Sequence, residues 1–314
     1  MAIERSAADK GLMDEYALPW VEANEDDAQA SAERLRPFGP KFANDRADAA
    51  KAVGRLVSSG EGEAVKALEE HWNGVARQFT QVSTAAGLIA DGLESCGDIV
   101  RSSKNAVLDL VANLRTVISP IGEDEMPSIS DASRQAMAAE AEKARPRFVS
   151  EVASATTRGD EHVKRVRGYG DVAALKSIAG LPAGGGSGTG TGRRAADSMH
   201  LASAGSSWWN GDLFHDEDEH TRARKRLGEI ADHIRDTSSL PLAQAGLHLT
   251  ELGASGPLGA SLAGGLRPLL DDLVLASRAL ADHLTGPLSD AIKAAAEDQK
   301  RREDELRRRF GWMP

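Results

Sequence analysis

The strongest pattern in the chain is a run of apolar residues alternately three and four positions apart, which begins just after Gly62. This spacing places the side chains on one stripe of an α-helix, as in a coiled coil. It predicts one very long helix over about 62–118, about 80 Å in length at 1.5 Å per residue, which requires a partner helix of similar length. Of the positions on the stripe only Ser103 is not apolar; the full set is Val65, Leu68, Trp72, Val75, Phe79, Val82, Ala86, Ile89, Leu93, Cys96, Val100, Ser103, Val107, Leu110, Leu114 and Val117.

A glycine turn precedes the long helix. Gly60 and Gly62 supply the permissive backbone that a reversal between two helices requires, and we expect them to form a hairpin turn. Asn24 is a good N-cap for an earlier helix, which Pro37 interrupts. The sequence therefore predicts an N-terminal arm over 1–24 and a helical hairpin over 25–118, in which the first of the two helical arms is broken.

Proline and glycine divide the remaining chain. Residues 119–179 are expected to form short helices, because Pro146 and several glycines should interrupt a longer one. Residues 180–215 are rich in glycine and serine and are typical of a flexible linker. Residues 216–314 predict a second helical hairpin that ends in a highly charged helix, with a turn at Gly253–Gly259.

Composition narrows the fold class to all-α. Apolar residues make up 41% of the 314 residues but aromatic residues only 4%, so alanine, leucine and valine must provide most of the packing. This favours closely packed elongated helical hairpins, with four-helix-bundle-like coiled-coil packing. The lone Cys96 lies on the apolar stripe, where a packing role is the simplest interpretation.

Charge and hydropathy limit the partners and the location. The net charge of −10 argues against a nucleic-acid-binding protein, which would carry a basic face. We find neither a secretory signal nor an apolar run long enough to span a membrane. We expect a cytoplasmic protein, with export by a leaderless route left open.

Three stretches suggest chemistry, and each has a plainer interpretation. His215–His220 combines carboxylates with imidazoles like a metal site, but it also fits the acidic start of a helix. Gly184–Gly192 resembles a phosphate-binding loop without its lysine or preceding strand, so a linker is favoured. Leu252–Leu266 is rich in small residues, which suit membrane insertion or a tight turn; its proline and glycines favour the turn. We therefore predict no catalytic, metal or cofactor-binding residues.

The stretch Gly62–Trp72, with Ala64 and Ala67 between, resembles the start of the second helix in the WXG family, the helical-hairpin substrates of bacterial type VII (ESX) secretion. In that family a Trp-x-Gly turn joins two antiparallel helices; here Val57 and Ser59 occupy those two positions. The resemblance covers about residues 25–118. It implies a helical hairpin that pairs into a four-helix bundle, as a homodimer or a heterodimer, and export by type VII secretion.

Together these observations predict a non-enzymatic helical protein–protein interaction module. A cytosolic coiled-coil scaffold is the first alternative, and an effector with a membrane-active C-terminal half is the second. We expect a protein partner or a second copy to bind through the long helix, unless the C-terminal half of the same chain covers it; we expect no nucleic acid and no membrane. The interaction seam is predicted to consist of Val65, Leu68, Trp72, Val75, Phe79, Val82, Ile89, Leu93 and Val100.

Overall fold

The computed structural model describes residues 2–60, 62–123, 130–181 and 217–310. Within these ranges the regular structure is entirely α-helical and no strand occurs, which confirms the predicted all-α fold. The predicted linker lies almost wholly outside the described residues. The helices are α1 (Ala7–Glu15), α2 (Glu25–Leu35), α3 (Phe38–Ser59), α4 (Glu63–Glu123), α5 (Asp131–Gly168), α6 (Gly170–Ala179), α7 (Glu217–Ala254), α8 (Gly256–Thr285) and α9 (Pro287–Phe310).

The predicted long helix is confirmed as α4, which contains 61 residues. Helix α2 begins after Asn24, whose side-chain oxygen accepts a hydrogen bond from the backbone N–H of Asp26 at 3.1 Å. This is the predicted N-cap, and it satisfies one of the backbone donors that a helix start leaves without a partner.

The chain forms two compact units, each assembled from three separate stretches. The first unit contains Met1–Arg36, Leu88–Tyr169 and Leu242–Leu270. The second unit contains Pro37–Gly87, Gly170–Pro241 and Asp271–Pro314. Helices α4, α7 and α8 therefore each contribute residues to both units.

In the second unit, α3 and the first part of α4 form an antiparallel hairpin. The Phe42 and Phe79 rings stack with centroids 4.8 Å apart. Nearer the start of α3, the Ser83 hydroxyl donates to the carbonyl of Gly39 at 2.8 Å. Residues later in α3 therefore contact residues earlier in α4, as in an antiparallel pair of helices. The turn that closes the hairpin contains Gly62 with φ of 116°, a left-handed conformation in which glycine avoids the steric cost of a side chain.

In the first unit, α2 lies antiparallel to the later part of α4. Arg36 at the end of α2 pairs with Glu94. Nearer the start of α2, a methyl group on Gly97 would lie only 3.2 Å from the Glu25 carbonyl oxygen and 3.3 Å from the Gln29 side chain. A glycine inside a helix is unfavourable by about 1 kcal/mol relative to alanine, and here the close approach of two helices explains its presence.

Helices α7 and α8 form another antiparallel hairpin. The turn between them is at Ser255, inside the predicted stretch Gly253–Gly259, but the rest of that stretch is helical. Gly256 has φ of 81°, again in the left-handed region. Within the first unit, the Arg267 guanidinium donates to the carbonyl of Gly246 at 3.1 Å. Within the second unit, Arg235 pairs with Asp282 at 2.8 Å. Both contacts follow the antiparallel order that the turn imposes.

The predicted interruption at Pro146 is wrong. Helix α5 continues for 38 residues, from an N-cap at Ser130 to Gly168, and Pro146 lies inside it. Proline keeps a helical φ and removes only one backbone donor, so tertiary packing can hold the helix together across it. Phe148 and Ala141, on either side of the proline, are both buried.

None of the helices in the described ranges carries an apolar segment long enough to cross a bilayer.

Candidate functional site

The predicted interaction seam is buried within the single chain. Trp72 is the most exposed of its nine residues, with 8% of its surface accessible, and Phe79 and Val82 are fully enclosed. Residues from Val65 to Val82 belong to the second unit, and Ile89, Leu93 and Val100 belong to the first. A partner helix could reach these side chains only after the helices that cover them had moved away.

Segments from the C-terminal half contact the hairpin in the second unit. His283 of α8 lies against His71, the neighbour of Trp72. The side chain of Gln299 in α9 fills the space beside Gly60, where a methyl group would collide with it. The predicted turn glycines and the start of the seam are therefore packed against helices of the same chain.

The one polar position of the apolar stripe, Ser103, is fully buried and hydrogen-bonded in the first unit. Its hydroxyl donates to the carbonyl of Ile99 at 2.8 Å and accepts from the guanidinium of Arg158 in α5 at 2.9 Å. Burying a hydroxyl is unfavourable unless such partners are present. This interruption of the seam is thus a specific polar contact between α4 and α5.

The next residue, Lys104, forms a buried ion pair with Glu25 of α2. The ammonium donates to the Glu25 carboxylate at 2.7 Å, with Glu25 fully buried and Lys104 exposed over 4% of its surface. The second carboxylate oxygen accepts the backbone N–H of Ile3, and the ammonium also donates to the Ile3 carbonyl at 3.2 Å. The ammonium lies 5.9 Å from the centre of the Trp20 ring. The sequence did not predict this site, because its two charged residues lie 79 positions apart in the chain.

The second unit contains a stacked pair of histidines, His71 and His283. Their Nε2 atoms are 3.0 Å apart and their ring centroids 5.0 Å apart. The Nδ1 atom of His283 is buried and has no hydrogen-bond partner. Burial, and then the neighbouring His71, lower the pKa of His283 to about 4, and burial lowers the pKa of His71. At neutral pH both rings are uncharged, and one Nε2–H donates to the other ring.

Asp27, His248 and Glu251 converge in the first unit. One potential ligand atom from each lies within 4.8 Å of the others, and His248 Nδ1 is 3.2 Å from the Glu251 carboxylate. Burial and then the Glu251 charge raise the pKa of Asp27. Three ligands are one fewer than a closed structural zinc site contains. Of the metal cluster considered at His215–His220, His215 lies outside the described residues and His220 is buried.

No known protein family, characterised protein or solved structure matches this chain. The fold and the contacts described above are therefore the basis for a functional interpretation.

Proposed function

We propose that the protein is a non-enzymatic helical interaction protein, of the kind exported as WXG-family substrates by type VII secretion. The observation that carries this proposal is the α3–α4 hairpin, which is antiparallel and closed by a glycine turn. Trp72, the last residue of the stretch that resembles the family, is buried in the helix that follows the turn. Sequence motif and local structure thus agree at the same place.

The buried polar groups support a structural rather than a catalytic use of the interior. Glu25 and Lys104 satisfy each other and the backbone of Ile3. The Ser31 hydroxyl of α2 donates to the carbonyl of Ala245 in α7 at 2.8 Å, within the first unit. Each of these groups makes its hydrogen bonds to other segments of the same chain and so stabilises the packing of the helices. This is expected of a scaffold that presents its outer surface to a partner.

The burial of the seam favours one of the predicted modes of assembly. Because helices of the same chain already cover the seam, it does not require a partner helix from another molecule. Recognition of another protein would then use the outer faces of the helices. This arrangement corresponds to a hairpin protein whose bundle is completed within one polypeptide.

Export is tested by expressing the full chain in a bacterium that has a type VII secretion system and in the same strain with that system inactivated. We expect the protein in the culture medium of the first strain only, with a cytosolic marker protein retained inside both. Equal amounts in both media, or retention in both strains, would reject export and leave the cytosolic scaffold as the better interpretation.

Dye release from liposomes tests the membrane-active alternative. We expect the full chain to release no more dye than buffer from vesicles of neutral or anionic lipid. Release that increases with protein concentration would instead support an effector whose C-terminal half acts on membranes.

A further inference from the structure

A cleft of about 340 Å³ lies between α3 and α7 in the second unit. Its lining positions are spaced by three and four residues on each helix, so each wall is one helix face over about two turns, roughly 10 Å in length. A cavity of this volume falls at the lower end of the range for ligand sites. The charged side chains of the walls are Asp48, Lys51 and Arg55 from α3 and Glu219, Arg222 and Arg226 from α7.

The floor of the cleft consists of small side chains. Ala52 of α3 and Ala223 of α7 line it and are buried, with 7% and 6% of their surfaces accessible. Because a methyl group projects so little, the longer charged side chains on either side enclose a space between the two helices. A leucine at either position would fill part of it.

The charge of the cleft is opposite to that of the whole chain. Four cationic side chains face two carboxylates there, whereas the full sequence has a net charge of −10. Both carboxylates are already engaged. Asp48 accepts from Lys51 at 3.0 Å and pairs with Arg226 at 3.1 Å, and Glu219 accepts from the Ser59 hydroxyl at 3.0 Å. Arg226 also pairs with Glu229 at 3.0 Å, and the excess positive charge of the lining therefore lies mainly at Arg55.

Arg55 is the clearest sign of that excess. Its guanidinium forms no hydrogen bond or ion pair with any residue in the described part of the chain, and the residue is exposed. A guanidinium presents two parallel N–H groups that match the two oxygens of a carboxylate. Arg55 can thus bind an anion without first breaking a hydrogen bond or ion pair to the described residues.

We propose that this cleft binds an acidic helical segment of a partner protein, an inference that rests on the proposed role as an interaction protein. Lys51 and Arg55 are four residues apart on one wall, and Arg222 and Arg226 repeat that interval on the other. Residues four apart on a helix are separated by about 6 Å along its axis. Glutamates at the same interval on a partner helix would meet both rows of cations, and the alanine floor would face the small residues between them.

Binding is tested with the full-length protein and a fluorescently labelled, alanine-based helical peptide that carries glutamate at every fourth position. Anisotropy at low ionic strength should detect binding of this peptide, and a peptide with glutamine in place of glutamate should bind at least ten-fold more weakly. Affinity should fall as salt is added, because the Debye length shortens to about 10 Å at 0.1 M. Equal binding of both peptides would overturn the proposal.

Variants locate the binding to the cleft. Arg55→Ala and Arg222→Ala should each weaken the glutamate peptide by roughly two- to five-fold, and together by about ten-fold. The matched control is Lys293→Ala with Arg301→Ala, two exposed cations of α9 in the same unit. Circular dichroism before each titration confirms folding; if the double variant does not fold, Arg55→Ala alone serves, since its guanidinium forms no hydrogen bond or ion pair with the described residues. Unchanged peptide affinity in these variants would overturn the proposal.

Pyrophosphate distinguishes a general anion site from a peptide site. We expect pyrophosphate to displace the peptide only at concentrations well above that of the peptide. Displacement at concentrations equal to or below that of the peptide would reject an acidic helix as the occupant and assign the cleft to a phosphate-bearing ligand. This outcome is independent of export: a protein retained inside the cell can still bind the peptide, and an exported one can fail to do so.

Discussion

The contact between His71 and His283 makes the stability of the second unit depend on pH. Burial lowers the pKa of His283 to about 4 in the folded chain, whereas an exposed histidine has a pKa of about 6.5. Between these values the unfolded chain binds a proton that the folded chain does not, so the free energy of unfolding decreases as the pH falls. The contribution is fully present above about pH 6.5 and is lost progressively towards pH 4, where it levels off.

Replacing His283 with leucine should remove this dependence. From the shift in the pKa of His283, the free energy of unfolding of the wild type should fall by about 2 kcal/mol between roughly pH 7.5 and pH 5 because of this residue alone. In His283→Leu the free energy of unfolding should fall by correspondingly less over the same range. The measurement is urea unfolding at the two pH values. Leu275→Ala, an exposed position of the same helix, is the control and should follow the wild type. An unchanged difference in His283→Leu would contradict the prediction.

The buried pair of Glu25 and Lys104 predicts a different energetic pattern. Lys104→Met removes the cation and leaves a carboxylate enclosed without a counter-charge, which should lower the free energy of unfolding by about 3–5 kcal/mol. Adding Glu25→Gln removes the stranded charge and keeps an oxygen to accept the Ile3 N–H, so the double variant should regain much of the loss. Urea unfolding of the two single variants and the double variant tests this; a double variant as unstable as Lys104→Met would refute it.

At the scale of the helix, two of the glycines in α4, Gly87 and Gly92, differ in their surroundings. Gly87 has no neighbouring atom within 4 Å of where a side chain would begin, whereas a methyl group on Gly92 would lie 2.8 Å from Val166 of α5. Gly87→Ala should therefore raise the free energy of unfolding by about 1 kcal/mol through helix propensity alone. Gly92→Ala should lower it by about 1–3 kcal/mol through overpacking. Thermal unfolding of the two variants compares them directly; the same sign of change in both would contradict the packing described for Gly92.

These glycines also show what the sequence could and could not predict. Local spacing predicted α4, the glycine turn before it and the N-cap at Asn24, because those features depend on residues close together in the chain. Gly87 and Gly92 look alike in the sequence, since Val166, which separates their roles, is distant along it. The ion pair of Glu25 with Lys104 joins residues 79 positions apart and was invisible for the same reason.

The candidate site was predictable to a similar extent. The apolar stripe of α4 identified most of the side chains that are buried: its residues from Val65 to Val100 are enclosed, but Val117 at its end is exposed over 49% of its surface. Periodicity could not show whether the covering helices would come from the same chain or from another molecule, because both give the same pattern. The cleft between α3 and α7 was likewise hidden, since its two walls come from segments separated by the hairpin and the linker.

At the scale of the whole molecule, each unit draws on three stretches of the chain, with α4, α7 and α8 shared between them. Both units bury their own part of the seam. Phe79 in the second unit and Leu93 in the first are fully inaccessible. The apolar surface that would drive association of two copies through α4 is therefore already removed from water. Its hydrophobic free energy stabilises the folded chain and is not left to drive dimerisation.

This burial predicts that the full-length protein is a monomer. Light scattering after size-exclusion chromatography should give a mass near 33.2 kDa that does not change with protein concentration. Dimerisation through the seam would require each copy to release the helices that cover residues such as Trp72 and Phe79. A dimer interface of the same area would recover only the free energy lost in exposing the seam, with no net gain to drive association. A mass near twice that of one chain, together with loss of the dimer in Phe79→Ala but not in the exposed control Leu275→Ala, would instead show that the seam binds a second copy.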